Sequence, residues 1–302
     1  MNHILVKTIL FAFIITSFTS FIGLRNDPSA ARWLATVKDS NDAYFVSLNL
    51  KNIGGYSTVY SCVLIFPMII SMFKYKYIKL PYFIIIYLLF SLFLIYAQYT
   101  TALLLFFSSS VLIFLPKKLP TKKLLLIIFG SIIFLLIVRP FLGDLFYYFS
   151  SISNSIGVSK RLYVVGDLIK GIDNNSQANT RIPLITYDIQ LFLKYPLFGS
   201  LFNASGENSG HSFILDILAK SGVFGAFSLF FMYRQIYKSF YSSLNKSPFF
   251  GYVIISYILV MITSIVNTGS WIFVLSFVIP LFAVHLNSYI NFQLIQPHTI
   301  KG

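Results

Sequence analysis

His211 closes a polar loop, Asn203-Ala-Ser-Gly-Glu-Asn-Ser-Gly210, and opens an apolar run, Ser212-Phe-Ile-Leu-Asp-Ile-Leu218. A histidine at the start of a helix meets unpaired N–H groups and the positive end of the helix dipole. That setting favours the neutral imidazole, a base near neutral pH, and it attracts an anion such as phosphate. The other role open to His211 is that of an interfacial polar residue without chemistry. Upstream, Arg181 begins the segment Arg181-Ile-Pro-Leu-Ile185. A guanidinium there either grips phosphate with paired hydrogen bonds or snorkels from an apolar surface to water. Between the two lies Pro196-Leu-Phe-Gly199, a helix stop followed by a turn. Gly222 and Gly225 follow His211 at helical spacing, where they let another helix approach closely. No cluster of His, Asp and Glu looks like a metal site, and no cofactor is expected. The single cysteine, Cys62, sits in an apolar run as a small buried hydrophobe, which excludes an internal disulfide.

The elements that must hold these residues are membrane helices. Apolar residues make up 57% of the 302 and charged residues only 11%, too little charge to cover a soluble domain of this size. Several apolar runs are long enough to cross a hydrocarbon core of about 30 Å. The chain reads as an all-α, polytopic helical membrane protein. Its spans, about eight in number by length and hydropathy, fall near 4–24, 56–73, 81–97, 101–115, 123–140, 212–232, 249–267 and 271–288. The first is longer than a signal-peptide core and lacks a small-residue cleavage site, so it reads as a true span.

Lysines set the topology. As one helix, residues 81–115 would measure about 52 Å, too long for a bilayer. Lys74, Lys76 and Lys79 precede this stretch, and Lys117, Lys118, Lys122 and Lys123 follow it. Both clusters favour the cytoplasmic side, which requires a hairpin turning at Gln98-Tyr99-Thr100-Thr101. Both termini are then cytoplasmic. The inner segments carry Lys7, the two clusters, Arg234, Lys238, Lys246 and Lys301, with no acidic residue, while all 9 carboxylates fall on or near the outer face. The net charge of +14 is therefore a membrane-surface feature and not a nucleic-acid patch. The chain forms one integral membrane domain over 1–302, with a large extracytoplasmic loop over 141–211 between the fifth and sixth spans. In that loop Leu184 to Tyr195 has the spacing of an amphipathic interfacial helix, which Pro196 ends. Asp216 and Lys220 stand four apart and are expected to pair on one helical face. No internal repeat is apparent, so an inverted-repeat transporter has no support.

In order and in this topology, these elements resemble the O-antigen ligase and Wzy-type O-antigen and capsular polysaccharide polymerase family. The family pattern of His, then Asn, Ser or Gln, then a spacer and Gly-x-x-Gly is matched by His211, Ser212, Gly222 and Gly225. Arg181 to Ile185 matches its Arg-x-x-x-aliphatic element, and Pro196 to Gly199 its Pro-Leu-Phe-Gly element. The firm likeness covers about 180–232.

The resemblance implies a glycosyltransferase C-like membrane fold in the bacterial cytoplasmic membrane and an inverting, metal-independent glycosyl transfer. It implies an undecaprenyl-diphosphate-linked oligosaccharide as donor, held at its diphosphate by Arg181 with Arg161 or Arg139, and His211 orienting or deprotonating the acceptor hydroxyl. Arg139 before Pro140 and Arg161 in Lys160-Arg161-Leu-Tyr163 also suit interfacial anchoring. Implied partners are membrane lipids, a flippase and a chain-length regulator; no nucleic acid is among them. A polymerase is the leading expectation. A ligase using a terminal acceptor shares the same motifs. A lipid-linked glycan flippase or transporter would need polar residues deep in several helices, which most spans lack. The chain departs from the family pattern at Tyr99-Thr100-Thr101, which has no arginine, at Lys220, where the family often has an acid, and in its few N-terminal spans. A short inactive paralogue is thus a further alternative.

Overall fold

Helix α1 (Asn2–Asn26) leads to α2 (Tyr56–Lys74), α3 (Leu80–Ala97) and α4 (Thr100–Ser110), which tightens into a 3-10 turn over Val111–Ile113. Helix α5 (Ala178–Lys194), α6 (Phe213–Leu244) and α7 (Phe250–Val266) follow. A π-helical turn at Val274–Val278 then runs into α8 (Ile279–Ile295). The computed structural model describes residues 2–27, 30, 53–116, 140–141, 143–152, 159–160, 162–163, 166–167, 170, 178–202, 210, 212–267 and 273–295. Among them all regular structure is helical, and the protein is an all-α polytopic membrane protein.

Among the described residues five helices are long and apolar enough to cross a membrane, while Thr101–Ile113 and Phe250–Ile265 are shorter apolar helices. The expected spans at 101–115 and 249–267 exist as these shorter apolar helices. The span expected at 123–140 lies outside the described residues.

Local chemistry sets the boundaries. Helix α2 ends in a Schellman motif: Lys76 takes φ 62°, and the Lys76 and Tyr77 N–H groups donate to Phe73 and Met72 carbonyls at 2.9 Å each. Pro81 then occupies the first turn of α3, where a missing N–H costs nothing. Helix α3 stops at Gln98, left-handed at φ 60°, and α4 starts after extended Tyr99. The hairpin that the lysine clusters require is thus present.

Helix α2 is the hub. It packs against α3, α4, α7 and α8, and its residues from Cys62 to Met72 are buried. Phe66 meets Phe106 of α4 at 4.4 Å between ring centroids, and Phe73 stacks on Phe83 of α3 at 4.3 Å. Cys62 is buried against Ser17 of α1, as a small core residue.

Contacts sort the segment ends into two groups. At one end Lys74 Nζ donates to the Leu115 carbonyl, Tyr252 Oη to the Pro116 carbonyl at 3.3 Å, and Tyr77 lies edge-on to His285 at 5.0 Å. This is the lysine end. At the other, the site end, Gly54 N–H donates to Ser20 Oγ at 2.6 Å and Asn267 Nδ2 to Tyr60 Oη at 3.0 Å. The described helices therefore alternate in the order that the hairpin topology demands.

Candidate functional site

The site end carries the start of α6. Of the motif residues, His211, Arg161 and Arg139 lie outside the described residues. Arg181 lies within α5, as its fourth residue, rather than before it. The helix was expected to begin at Leu184, where the helical spacing of apolar residues starts. It instead begins at Ala178 and includes Pro183 as its sixth residue, where the missing N–H forgoes one intrahelical bond.

Helix α5 packs against α6. Ile185, Ile189 and Leu193, one turn apart in succession, face outward, whereas Asp188 is 1% exposed. Thr186, Gln190 and Lys194 are exposed beside them, the mixture of a helix lying at a membrane interface. Asp188 is engaged rather than free, as a carboxylate so deeply buried must be. Alternating hydropathy had marked it only as a polar position of an interfacial helix.

The Pro196-Leu-Phe-Gly199 turn and the Gly222-x-x-Gly225 element, far apart in sequence, are in contact. Gly222 takes φ 59°, ψ −152° and interrupts α6. Val223 N–H donates to the Pro196 carbonyl at 2.8 Å, and Ser200 N–H to the Ala219 carbonyl at 2.9 Å. The turn thus supplies hydrogen bonds that the broken helix cannot make internally. Gly199 is also left-handed, at φ 61°. A Cβ on Gly222 would stand 2.6 Å from the Pro196 carbonyl oxygen, and one on Gly199 would stand 2.5 Å from the Lys220 carbonyl oxygen. A Cβ on Gly225 would strike Ser221 and stand 3.1 Å from Ile217. Only glycine fits these positions, by conformation at the first two and by close approach at all three. The glycines were expected to admit a neighbouring helix; at Gly222 a turn of chain occupies that place, while Gly225 meets Ser221 and Ile217 of its own helix.

The break changes the direction of α6. Phe213 N–H donates to the Asn267 carbonyl at 3.0 Å, and Tyr233 Oη lies 3.1 Å from Ser264 Oγ. A straight helix from Phe213 to Tyr233 would rise about 30 Å. Asn267 and Ser264 are only a turn apart, since Asn267 N–H bonds the Thr263 carbonyl at 2.9 Å. The arm 213–221 therefore does not continue the line of the arm 223–244. The expected span at 212–232 is corrected accordingly. The arm 223–244 alone would measure about 33 Å, enough for a crossing.

Residues on both sides of His211 are placed. Gly210 is left-handed at φ 67°, and its N–H donates to Asp216 Oδ1 at 3.1 Å. Ser212 is the N-cap of α6; its Oγ accepts the Leu215 N–H at 3.3 Å and its carbonyl the Asp216 N–H at 2.7 Å. The helix therefore starts just past His211. The expected Asp216–Lys220 pair is absent: Lys220 is exposed, and among the described residues the one ion pair joins Lys170 to Asp144. Asp216 instead holds the loop leading to His211.

Below this start lies a latch that motif reading missed. Asn267, 3% exposed, accepts the Phe213 N–H with its carbonyl and donates its side-chain amide to Tyr60. It ties the start of α6 to the hub helix α2. A polar residue ending an apolar run was the only signal for it. Among the described residues no group of His, Cys, Asp or Glu is arranged to hold a metal. Compared with protein-family models, curated proteins and solved structures, the chain matches none.

Proposed function

We propose that this protein is a polysaccharide repeat-unit polymerase of the bacterial cytoplasmic membrane, with the site end facing outward and both termini inside. The observation that carries the proposal is the clasp between the Pro196–Gly199 turn and the break at Gly222. It joins the segment after Arg181 to the helix after His211, so that two distant motif elements act as one unit. Such a clasp serves a reaction with one group on each side.

In the proposed reaction an acceptor hydroxyl attacks the anomeric carbon of the donor glycan. The new C–O bond forms as the bond to the diphosphate breaks, with inversion, and undecaprenyl diphosphate leaves. His211 takes the hydroxyl proton as general base. Arg181, with Arg161 or Arg139, stabilises the charge on the departing diphosphate. The exposed Ile185, Ile189 and Leu193 of α5 suit a donor that arrives from the lipid surface.

The test is replacement of His211 or Arg181 by alanine, with polymer length read on gels. Single repeat units accumulate and long chains vanish in both variants. Full-length polymer from His211→Ala cells would remove the catalytic role. Loss of transfer only to a terminal acceptor, with polymer retained, would make the protein a ligase instead.

A further inference from the structure

Arg234 and Lys238, one turn apart on the second arm of α6, are both exposed. Phe227, Phe231 and Tyr241 stand on the same side of that helix at helical spacing, exposed by 56%, 56% and 50%. The Tyr241 ring lies 6.0 Å from Phe250, and the neighbouring Phe249 ring lies 6.3 Å from Tyr75. This face of α6 therefore runs down to the lysine end, with its phenylalanines above and its cations below. Both cations have long stems that let their heads bend towards that end. Lys76, Lys79 and Lys246 are exposed there as well.

The chain has no countercharge to offer. Residues 43–143 and 217–302 contain no Asp or Glu. Among the described residues the one ion pair joins Lys170 to Asp144, in another part of the chain. The anion that balances this face must come from outside. A second copy meeting the face about a twofold axis would set Arg234 against Arg234 and bring no carboxylate. A small free anion would leave the exposed phenylalanines unused. A phospholipid with net negative charge uses every part. Its phosphate accepts from the guanidinium and the ammonium, its acyl chain lies along the phenyl rings, and the tyrosine suits the level between them. We propose that this face of α6 binds an anionic phospholipid, with Arg234 and Lys238 on the phosphate and Phe227 and Phe231 along an acyl chain. The site stands apart from the reaction proposed above.

The test uses the full chain, purified in detergent and stripped of lipid. It is offered dioleoylphosphatidylglycerol or dioleoylphosphatidylcholine, and bound lipid is counted by native mass spectrometry. The wild-type protein holds the phosphatidylglycerol about ten-fold more tightly. Arg234→Gln with Lys238→Gln removes that preference, whereas Lys220→Gln, on the first arm of α6, keeps it. Arg234→Gln alone lowers the preference about three-fold, should the double variant not accumulate. Phe231→Ala weakens both lipids alike. Inorganic phosphate at matched ionic strength leaves the lipid bound. Equal retention of the two lipids by the wild-type protein, or a preference that survives in the double variant, overturns the site. Displacement by inorganic phosphate makes it a free-anion site and overturns the lipid. Cross-linked dimers through Phe227→Cys with no lipid retained make the occupant a second copy and overturn it too.

Discussion

Helix α2 carries Pro67 in its middle and stays a single helix from Tyr56 to Lys74, whereas α6 carries Gly222 and changes direction there. By local rules proline is the stronger breaker, costing about 3 kcal/mol in a helix interior against about 1 kcal/mol for glycine. The order is reversed because the surroundings differ. Helix α2 is packed against α1, α3, α4, α7 and α8, which leave it no room to break. The Gly222 region has one neighbour of another kind, a turn whose carbonyl groups replace the helix's own acceptors. Glycine permits the left-handed conformation, and the docked turn makes it the stable one.

The largest predicted effect follows from that contrast. Gly222→Ala places a side chain at φ 59° and against the backbone of Pro196 and Leu197. It destabilises the protein by about 3 kcal/mol or more, seen as loss of protease-resistant protein in detergent. Gly199→Ala, on the other side of the clasp, costs about as much by the same measurement, and the two changes combine non-additively because they break one contact. If Pro67→Ala costs more than either, the hub helix, not the clasp, is the fragile element.

A smaller change isolates the latch. Tyr60→Phe removes one hydroxyl and leaves the buried Asn267 amide without that acceptor, at about 1–2 kcal/mol. Under the proposed function it lowers kcat more than it raises KM, because it loosens the start of α6 beside His211. The smallest effect concerns the loop between spans. Tyr147 Oη donates to Asp167 Oδ1 at 2.6 Å, and this bond, more than burial, pushes the phenol up to about 12. A raised pKa favours the protonated folded form, so this bond supports the loop at neutral pH and weakens as pH rises from about 10 towards about 12. Asp167→Asn brings the tyrosinate absorbance step of Tyr147 back towards its ordinary pH.

Lysine placement made the hairpin at Gln98 legible, since the charge of Lys74 to Lys79 and Lys117 to Lys123 is a one-body property that sequence displays directly. Pro196 likewise ended α5 where its missing N–H predicted. The break at Gly222 was not legible. An isolated glycine in an apolar run is compatible with an unbroken helix, and only the distant Pro196–Gly199 turn decides otherwise. The same holds for Asp188 and Asn267. Their roles depend on which side of a helix meets a neighbour, and in a chain this apolar both sides of most helices look alike. The Asp216–Lys220 pairing failed for a related reason: helical spacing allows the pair, but the loop before His211 offers Asp216 a backbone donor instead.

The clasp itself is tested most directly by cross-linking. Ser200 and Ala219 share a backbone hydrogen bond of 2.9 Å, and both are buried. The Ser200 hydroxyl has no partner among the described residues, so Ser200→Cys forfeits no hydrogen bond. In a Cys62→Ala background, membranes carrying Ser200→Cys with Ala219→Cys are oxidised, and free thiols are counted by mobility shift. The account predicts a disulfide in this pair and none in a control pairing Ser200→Cys with Phe231→Cys, further along the second arm. Equal cross-linking of both pairs, or none in the first with the protein folded, would contradict it.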